Sequence, residues 1–262
     1  MLKLFRRVKM QDLISLAILG YVAIGALIGF ISGFFGIGGG GILVPVMMHL
    51  GYDVKHAIGV SVVQMIFSSI FGSFVNFKSK MLDVTPALVL GFGGFCGALC
   101  SGFIVSYFSS KFLLGVLVAT QIFNLTRLFK TPSEPVGAAN ESKAPLFFVG
   151  LIVGAVAISV GIGGSVLVMP ILVSFLNYDI KKAVGTGLFF VAFSSTAGFI
   201  SLAAHGFVHY GTGVALGLGS LAGVYAGVKT SHSIGKKAQK RWMIALIVAI
   251  LCVTIKKFIA LN

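Results

Sequence analysis

Two glycine-rich segments are the part of this 262-residue chain whose residue types and spacing could do chemistry. Gly36-Ile37-Gly38-Gly39 recurs as Gly161-Ile162-Gly163-Gly164, and a proline follows each copy, at Pro45 and Pro170. Because glycine loosens a helix, each segment is expected to break one and to leave the first N–H groups of the next helix unpaired. A helix N-terminus combines partial positive charge with free donors and therefore suits an anion. Two such termini could converge on one anion.

Polar side chains interrupt the apolar runs that follow the two glycine segments. Hydroxyls and amides can replace water around an oxyanion while helix dipoles balance its charge. The predicted substrate-binding set combines four glycines, for close backbone approach, with six polar side chains: Gly38, Gly39, Gly163, Gly164, Ser61, Gln64, Ser68, Thr186, Ser194 and Ser195. For each isolated serine the alternative is helix packing, because small residues let helices approach closely in membranes.

The chemistry that is missing also favours an anion. None of the six Asp and Glu residues lies in a predicted membrane span, whereas carboxylates inside membrane spans mark many cation pathways and proton relays. The dinucleotide-like pattern Gly36-x-Gly38-x-x-Gly41 lies within an uncharged run, and its repeat lacks the third glycine. We find no nucleophile–base pair and no metal-ligand spacing. The sequence therefore predicts no catalytic residues, no metal and no cofactor.

Several titratable residues sit at the ends of the apolar runs. Asp53 and Asp179 each follow a tyrosine at the start of a run and are predicted to cap helix N-termini. Lys55 and Lys181 could attract an anion at a vestibule or lie among lipid headgroups, and both interpretations stay open. The histidines nearest the core are His49, His205 and His209. Proton coupling through one of them competes with a structural role.

The elements that must position these residues are membrane helices. The chain is 57% apolar and 10% charged, whereas a soluble domain carries about 25% charged residues. About 20 apolar residues cross a bilayer as a helix. Long runs without Asp, Glu, Lys or Arg include Leu13–Tyr52, Ala57–Phe77, Val84–Ser110, Ala144–Tyr178, Ala183–Ala204 and Tyr210–Val228. This pattern predicts an all-α polytopic membrane protein and excludes an ordinary cytosolic enzyme or a disordered chain.

The basic excess does not indicate nucleic-acid binding. Lys and Arg number 20, and the net charge is +14. These residues are spread over short loops and the ends of apolar runs, where they can anchor helices against anionic lipid. The sequence therefore predicts that the chain contacts a lipid bilayer and binds no nucleic acid.

An internal repeat organises the chain. Besides the glycine segments, Tyr52-Asp53-x-Lys55 recurs as Tyr178-Asp179-x-Lys181. The predicted units are a first membrane repeat at 1–130, a polar linker at 131–144 and a second membrane repeat at 145–262. Each repeat is expected to form a glycine-broken hairpin, whose short second arm begins near Ile42 or Ser165, followed by three transmembrane helices. Three crossings are an odd number, so the two repeats should be inverted, an arrangement typical of secondary transporters.

The duplicated signature resembles the TauE/SafE family of sulfite and organosulfonate exporters. The matching stretches are Gly33-Phe34-Phe35-Gly36-Ile37-Gly38-Gly39-Gly40-x-x-x-x-Pro45, Val160-Gly161-Ile162-Gly163-Gly164-x-x-x-x-x-Pro170, Ala57-x-Gly59-x-Ser61 and Ala183-x-Gly185-Thr186. The resemblance implies a bacterial or archaeal inner-membrane permease for sulfur-containing anions such as sulfite or sulfoacetate. One departure is Ser165-Val166, which stands where the first copy has Gly40-Gly41. The two half-sites therefore differ.

The function predicted from the sequence is secondary transport of a small oxyanion by alternating access at the repeat interface, and the family resemblance implies that this oxyanion contains sulfur, as sulfite, sulfoacetate and other organosulfonates do. A passive anion channel of the same fold is the main alternative, and an intramembrane enzyme is a weaker one. The expected location is the cell inner (plasma) membrane, as a multi-pass protein. The expected partners are the small anionic substrate and the lipid bilayer, and a homodimer is one open assembly.

Overall fold

A computed structural model describes residues 2–130 and 142–260 of the chain. Within those residues the secondary structure is entirely helical. The helices are α1 (Leu2–Phe35), α2 (Gly40–His49), α3 (Val54–Lys78), α4 (Val84–Ala98), α5 (Ser101–Tyr107), α6 (Ser110–Lys130), α7 (Lys143–Ser159), α8 (Ser165–Phe175), α9 (Ile180–Ala204), α10 (Tyr210–Ser233) and α11 (Lys236–Ala260).

Seven segments in this part of the chain are long and apolar enough to cross a membrane. They are Ser15–Phe35, Val54–Lys78, Val84–Tyr107, Ser110–Phe129, Lys181–Ala204, Tyr210–Ser233 and Lys237–Ala260. Large apolar side chains also cover the outside of the bundle, among them Leu27, Phe103 and Ile152, which are 69%, 70% and 63% exposed. Apolar surface of this extent is favourable in lipid and unfavourable in water. The prediction of an all-α polytopic membrane protein is confirmed.

The glycine breaks divide the chain almost where the sequence predicted. Helix α8 begins at Ser165 as expected, whereas α2 begins at Gly40, two residues earlier than expected. At 10 residues, α2 rises about 15 Å, half of the hydrocarbon thickness of about 30 Å. The first arm of this hairpin is longer than a half-crossing, because 21 residues of α1 suffice to span a membrane. Most of the predicted linker lies outside the described residues.

Helices α1 and α10 pack side by side and run in the same direction. A methyl group added at Gly25 would meet the backbone of Leu216, and one added at Gly33 would meet the backbone of Val224. Glycines of α10 make the reciprocal contacts, for example Gly223 with the backbone of Ala26. Close packing through small residues, the plain alternative to a binding role, is therefore what these glycines do.

Helices α4 and α7, the pair related to α10 and α1 by the repeat, pack in the same way. In α4, Gly93 lies against the backbone of Phe147 and Gly97 against that of Leu151, so α4 and α7 also run in parallel. The first helix of each repeat thus packs on the fourth element of the other. Helices α3 and α9 cross in opposite directions, since Gly72 faces Leu188 whereas Gly185 lies near Asn76.

Both predicted N-caps are present. The Asp53 carboxylate accepts hydrogen bonds from the backbone N–H groups of Lys55 and His56, and Asp179 accepts one from Lys181 N–H. The lysine ammonium groups bind the carboxyl ends of neighbouring helices. Lys55 Nζ donates to the Ser106 carbonyl at 3.2 Å, and Lys181 Nζ donates to the His232 carbonyl at 2.8 Å. A cation at a helix C-terminus is favourable, so these two lysines stabilise the contact between the N-terminus of their own helix and the C-terminus of a neighbouring one.

Replacing Asp53 with alanine is expected to destabilise the protein by about 1 kcal/mol, the usual cost of losing an N-cap. Burial opposes ionisation of Asp53, but the hydrogen bond and charge of His56 and the two backbone N–H groups lower its pKa below the ordinary 3.8. A carboxylate with a lowered folded-state pKa stabilises above its unfolded-state pKa and loses that contribution as pH falls through the folded value. The unfolding temperatures of detergent-solubilised wild type and variant should therefore differ at neutral pH and converge as the pH falls through the lowered folded-state pKa of Asp53.

Candidate functional site

The two breaks are loops of left-handed glycine backbone. In the first, Gly36, Gly38 and Gly39 have φ of 72°, 72° and 84°. In the second, the equivalent glycines at positions 161, 163 and 164 have φ of 73°, 76° and 86°. Side-chain-bearing residues rarely adopt this conformation. The last glycine of each loop is the N-cap of α2 or α8 and has no side chain with which to cap the helix, so the first N–H groups of both helices donate to no N-cap side chain and can face a ligand.

Three of the predicted serines hold these loops in place. Ser68 Oγ on α3 donates to the Gly38 carbonyl at 3.1 Å, and Ser194 Oγ on α9 donates to the Gly163 carbonyl at 3.3 Å. Ser61 Oγ donates across the repeat boundary to the Gly161 carbonyl at 2.9 Å. Because these hydrogen bonds join the loop carbonyls to α3 and α9, the three serines orient the loop backbone.

The two loops touch each other at the centre of the bundle. A methyl group on Gly40 would collide with the Gly161 carbonyl oxygen and would lie 3.0 Å from Ser61 Oγ. In the other repeat a methyl group on Gly187 would lie 3.0 Å from Ser165 Cβ. Each junction therefore carries one serine: on the long span in the first repeat, and on the short helix in the second.

At the second junction one buried hydroxyl has no hydrogen-bond partner among the described residues. Ser165 is the first residue of α8 and is 1% exposed. Its Oγ finds no hydrogen-bond partner among the residues described. The predicted binding set does not include Ser165, although this serine stands where the first repeat has Gly40. The departure from the repeat was itself the signal.

Gln64 is the other predicted site residue with unused hydrogen-bonding capacity. Its side chain is fully buried beside the first loop, where a methyl group on Gly39 would lie 2.9 Å from Gln64 Oε1. Neither its amide nitrogen nor its amide oxygen has a partner in the described part of the chain. The hydroxyls of Thr186 and Ser195 are also buried without a hydrogen-bond partner in that part of the chain, so no described hydrogen bond joins them to the loops. A buried polar group without a partner costs about 1–3 kcal/mol.

A small cavity lies against both loops. Ile37 and Gly41 line it from the first repeat, Ile162 and Val166 from the second, and Gln121 from α6. Its volume of about 20 Å³ is room for about one water molecule. The site is closed in this conformation, and an oxyanion of several heavy atoms requires the helices around it to separate.

The electrostatic character of the loops comes from neutral groups. The membrane-spanning segments contain no Asp or Glu, and the positive ends of α2 and α8 both lie at the loops. Of the histidines, His49 Nδ1 lies 2.9 Å from the Pro45 carbonyl and His205 Nδ1 lies 2.7 Å from the Ser201 carbonyl, both one helical turn back. The His209 ring packs on His56, 4.8 Å away, at a helix end.

Sequence comparisons place the chain among transporters. A family model described as Sulfite exporter TauE/SafE matches residues 21–255. Probable membrane transporter protein YdhB of Bacillus subtilis is 27% identical over 221 residues, which are 82% of this chain and 90% of that protein. Probable membrane transporter protein YunE of the same organism is 24% identical over 252 residues, 86% of this chain and 91% of that protein. Probable membrane transporter protein MJ0441 of Methanocaldococcus jannaschii is 26% identical over 189 residues, 69% of this chain and 70% of that protein. No solved structure matches the chain.

Proposed function

Because the chain belongs to the sulfite exporter TauE/SafE family, we propose that it is a secondary transporter of a small sulfur-containing oxyanion, such as sulfite or sulfoacetate. The substrate binds between the two glycine loops and is exposed alternately to the two sides of the membrane. The membrane is the cell inner membrane, and the transporter has no catalytic step. A homodimer is its proposed assembly.

The observation that carries this proposal is the meeting of two helix N-termini beside buried polar groups that have no hydrogen-bond partner among the described residues. The N–H groups of α2 and α8, the Gln64 amide and the Ser165 hydroxyl offer donors to an anion. No carboxylate lies in the spans to repel it. Neutral donors in a low-dielectric site bind an oxyanion well, since charge-assisted hydrogen bonds are the stronger ones.

Packing directions support the alternating-access part of the proposal. Helices α1, α3 and α10 run one way and α4, α7 and α9 the other, as the glycine contacts indicate. Since α1 and α7 are equivalent in the repeat, these directions are the ones that two inverted repeats would have, and inversion is the architecture in which a central site is gated from either side. The closed cavity of about 20 Å³ favours a gated carrier over a permanently open channel.

Purified protein in liposomes should take up radiolabelled sulfite or sulfoacetate along a concentration gradient. Uptake should saturate with concentration and should be inhibited by the unlabelled anion, because a carrier has one site to fill. Empty liposomes and liposomes holding heat-inactivated protein are the controls. Steady single-channel currents in a planar bilayer would select the passive channel instead, and the absence of both uptake and binding of any oxyanion would overturn the proposal.

A further inference from the structure

The interface between α6 and α11, called the seam below, is polar on one side of the glycine loops and apolar on the other. Each of these two parts is called a half-seam. The two helices begin 126 residues apart, and they run in opposite directions, since Gly115 lies near Phe258 whereas Gln121 reaches Thr254. The half near the face where α11 begins carries Asn124, Gln239, Lys240 and Met243. The repeat-equivalent positions on the opposite half are Ile250, Leu113, Leu114 and Leu117.

The amides of the first half-seam are buried with unused hydrogen-bonding capacity. Asn124 is fully buried, and both of its amide atoms lack a partner among the described residues. Gln121 and Gln239 each have one amide oxygen without a partner there. Asn124 lies on the same face of α6 as Gln121 and Leu128, three and four residues away. Three incompletely paired amides are costly in a protein interior, and a polar ligand passing along the seam would pair them.

Two cavities follow this half-seam from the loops outward. The first is the cavity of about 20 Å³ at the loops, which Gln121 and Met243 both line. The second, of about 10 Å³, is lined by Leu128, Gln239, Lys240 and again Met243. Met243 therefore separates a cavity at the site from one that ends at the half-buried Lys240. The opposite half-seam presents three buried leucines in the equivalent places.

We propose that the substrate anion passes between the glycine loops and the face where α11 begins along this half-seam, with Asn124 and Gln121 replacing its water and Met243 as the closing side chain. Lys240 attracts the anion at the outer end. The buried leucines close the other half-seam toward the loops, although a cleft of about 500 Å³ beside Gly115, Val116 and Phe258 opens at its outer end, so the opposite side of the membrane is reached by another path. This inference rests on the proposed oxyanion transport.

A thiol-accessibility experiment compares the two half-seams directly. In a full-length chain whose native Cys96, Cys100 and Cys252 are replaced with serine, Met243→Cys and Leu117→Cys place one thiol at equivalent positions, 3% and 1% exposed in the wild type. The probe is a methanethiosulfonate that carries a sulfonate group, applied to detergent-solubilised protein so that both faces are open to it. Met243→Cys should react at least about tenfold faster, and sulfoacetate should slow its reaction, since occupancy of the route excludes the probe. Equal rates at the two positions would overturn the proposal.

Sulfite transport by the Asn124→Leu variant is the second test of the route. Its initial rate of sulfite uptake should fall at least about tenfold, the effect of losing about 1.4 kcal/mol at the barrier, without a fall in melting temperature, because no described hydrogen bond is lost. Thr120→Val, which removes a hydroxyl bonded to the Leu117 carbonyl elsewhere on α6, should transport at the wild-type rate. Wild-type transport by Asn124→Leu contradicts the route. Absence of wild-type uptake contradicts the transport function instead, and the thiol rates still report on the seam.

Discussion

Replacing Gly40 with alanine is expected to lower the rate of oxyanion transport at least about tenfold, equivalent to about 1.4 kcal/mol at the barrier. The added methyl group would collide with the carbonyl oxygen of Gly161 and would press on Met65 and Ser61. The two loops would have to separate, which moves the N–H groups of α2 and α8 away from a shared anion. The measurement is the initial rate of radiolabelled sulfite uptake into liposomes.

Alanine at this position tests the loop contact without straining the backbone. Gly40 is the first residue of α2 and has helical geometry, where alanine is favoured over glycine by up to about 1 kcal/mol. Gly211→Ala is the matched control, because Gly211 lies in the first turn of α10 with nothing within 4 Å of the added methyl group. It should transport at the wild-type rate. If Gly40→Ala also does so while keeping the wild-type melting temperature, contact between the loops is not needed for transport.

Local features of the fold were predictable from the sequence because they depend on short segments. Uncharged runs of about 20 residues set the spans, glycine set the breaks before α2 and α8, and Tyr-Asp pairs set the N-caps at Asp53 and Asp179. The predicted start of α2, near Ile42, was wrong by two positions. Gly40 and Gly41 adopt helical geometry because neighbouring helices pack against them. Helix ends depend on tertiary contacts that periodicity does not report.

The pairing of the site residues was not predictable, because it depends on contacts between distant parts of the chain. Ser61 bonds a carbonyl 100 residues away, and that partner follows only from the packing of one repeat on the other. Ser68 and Ser194, which occupy equivalent positions in the two copies, were predictable as site residues from the repeat, and both hydrogen-bond to the loops. Gln64 and Ser165, whose buried polar atoms have no partner in the described part of the chain, lie where the copies differ, with Phe190 and Gly40 as their counterparts.

Divergence between the copies also suggests how a two-fold scaffold binds one asymmetric ligand. A small sulfur oxyanion has two unlike ends, because bisulfite carries a hydroxyl group and a sulfonate carries a carbon substituent opposite its three oxygens, whereas identical half-sites would serve both ends equally. Here the first repeat contributes an amide beside Gly39, and the second contributes a hydroxyl at the start of α8. We expect the anion to bind in one orientation, with its charged oxygens toward these donors.

Replacing Gln64 with leucine should affect stability and transport in opposite directions. The buried amide has no partner among the described residues, so a leucine of similar size removes a penalty of about 1–3 kcal/mol. The melting temperature should rise by about 2–4 °C for each kcal/mol gained. Transport should fall, because a hydrogen bond to a charged ligand contributes about 1.5–3 kcal/mol, or roughly 10- to 150-fold in rate or affinity.

Opposite signs distinguish a ligand-binding amide from a packing one. Ser73→Ala is the matched control, since Ser73 also lies on α3 with a buried hydroxyl that has no partner among the described residues, and it sits more than two helical turns beyond Gln64 along that helix. It should gain stability without losing transport. If Gln64→Leu unfolds at a lower temperature than wild type, the amide has a structural partner, and if it transports normally the amide does not touch the anion. A stabilised variant that has lost transport is the outcome expected of a group whose partner is the substrate.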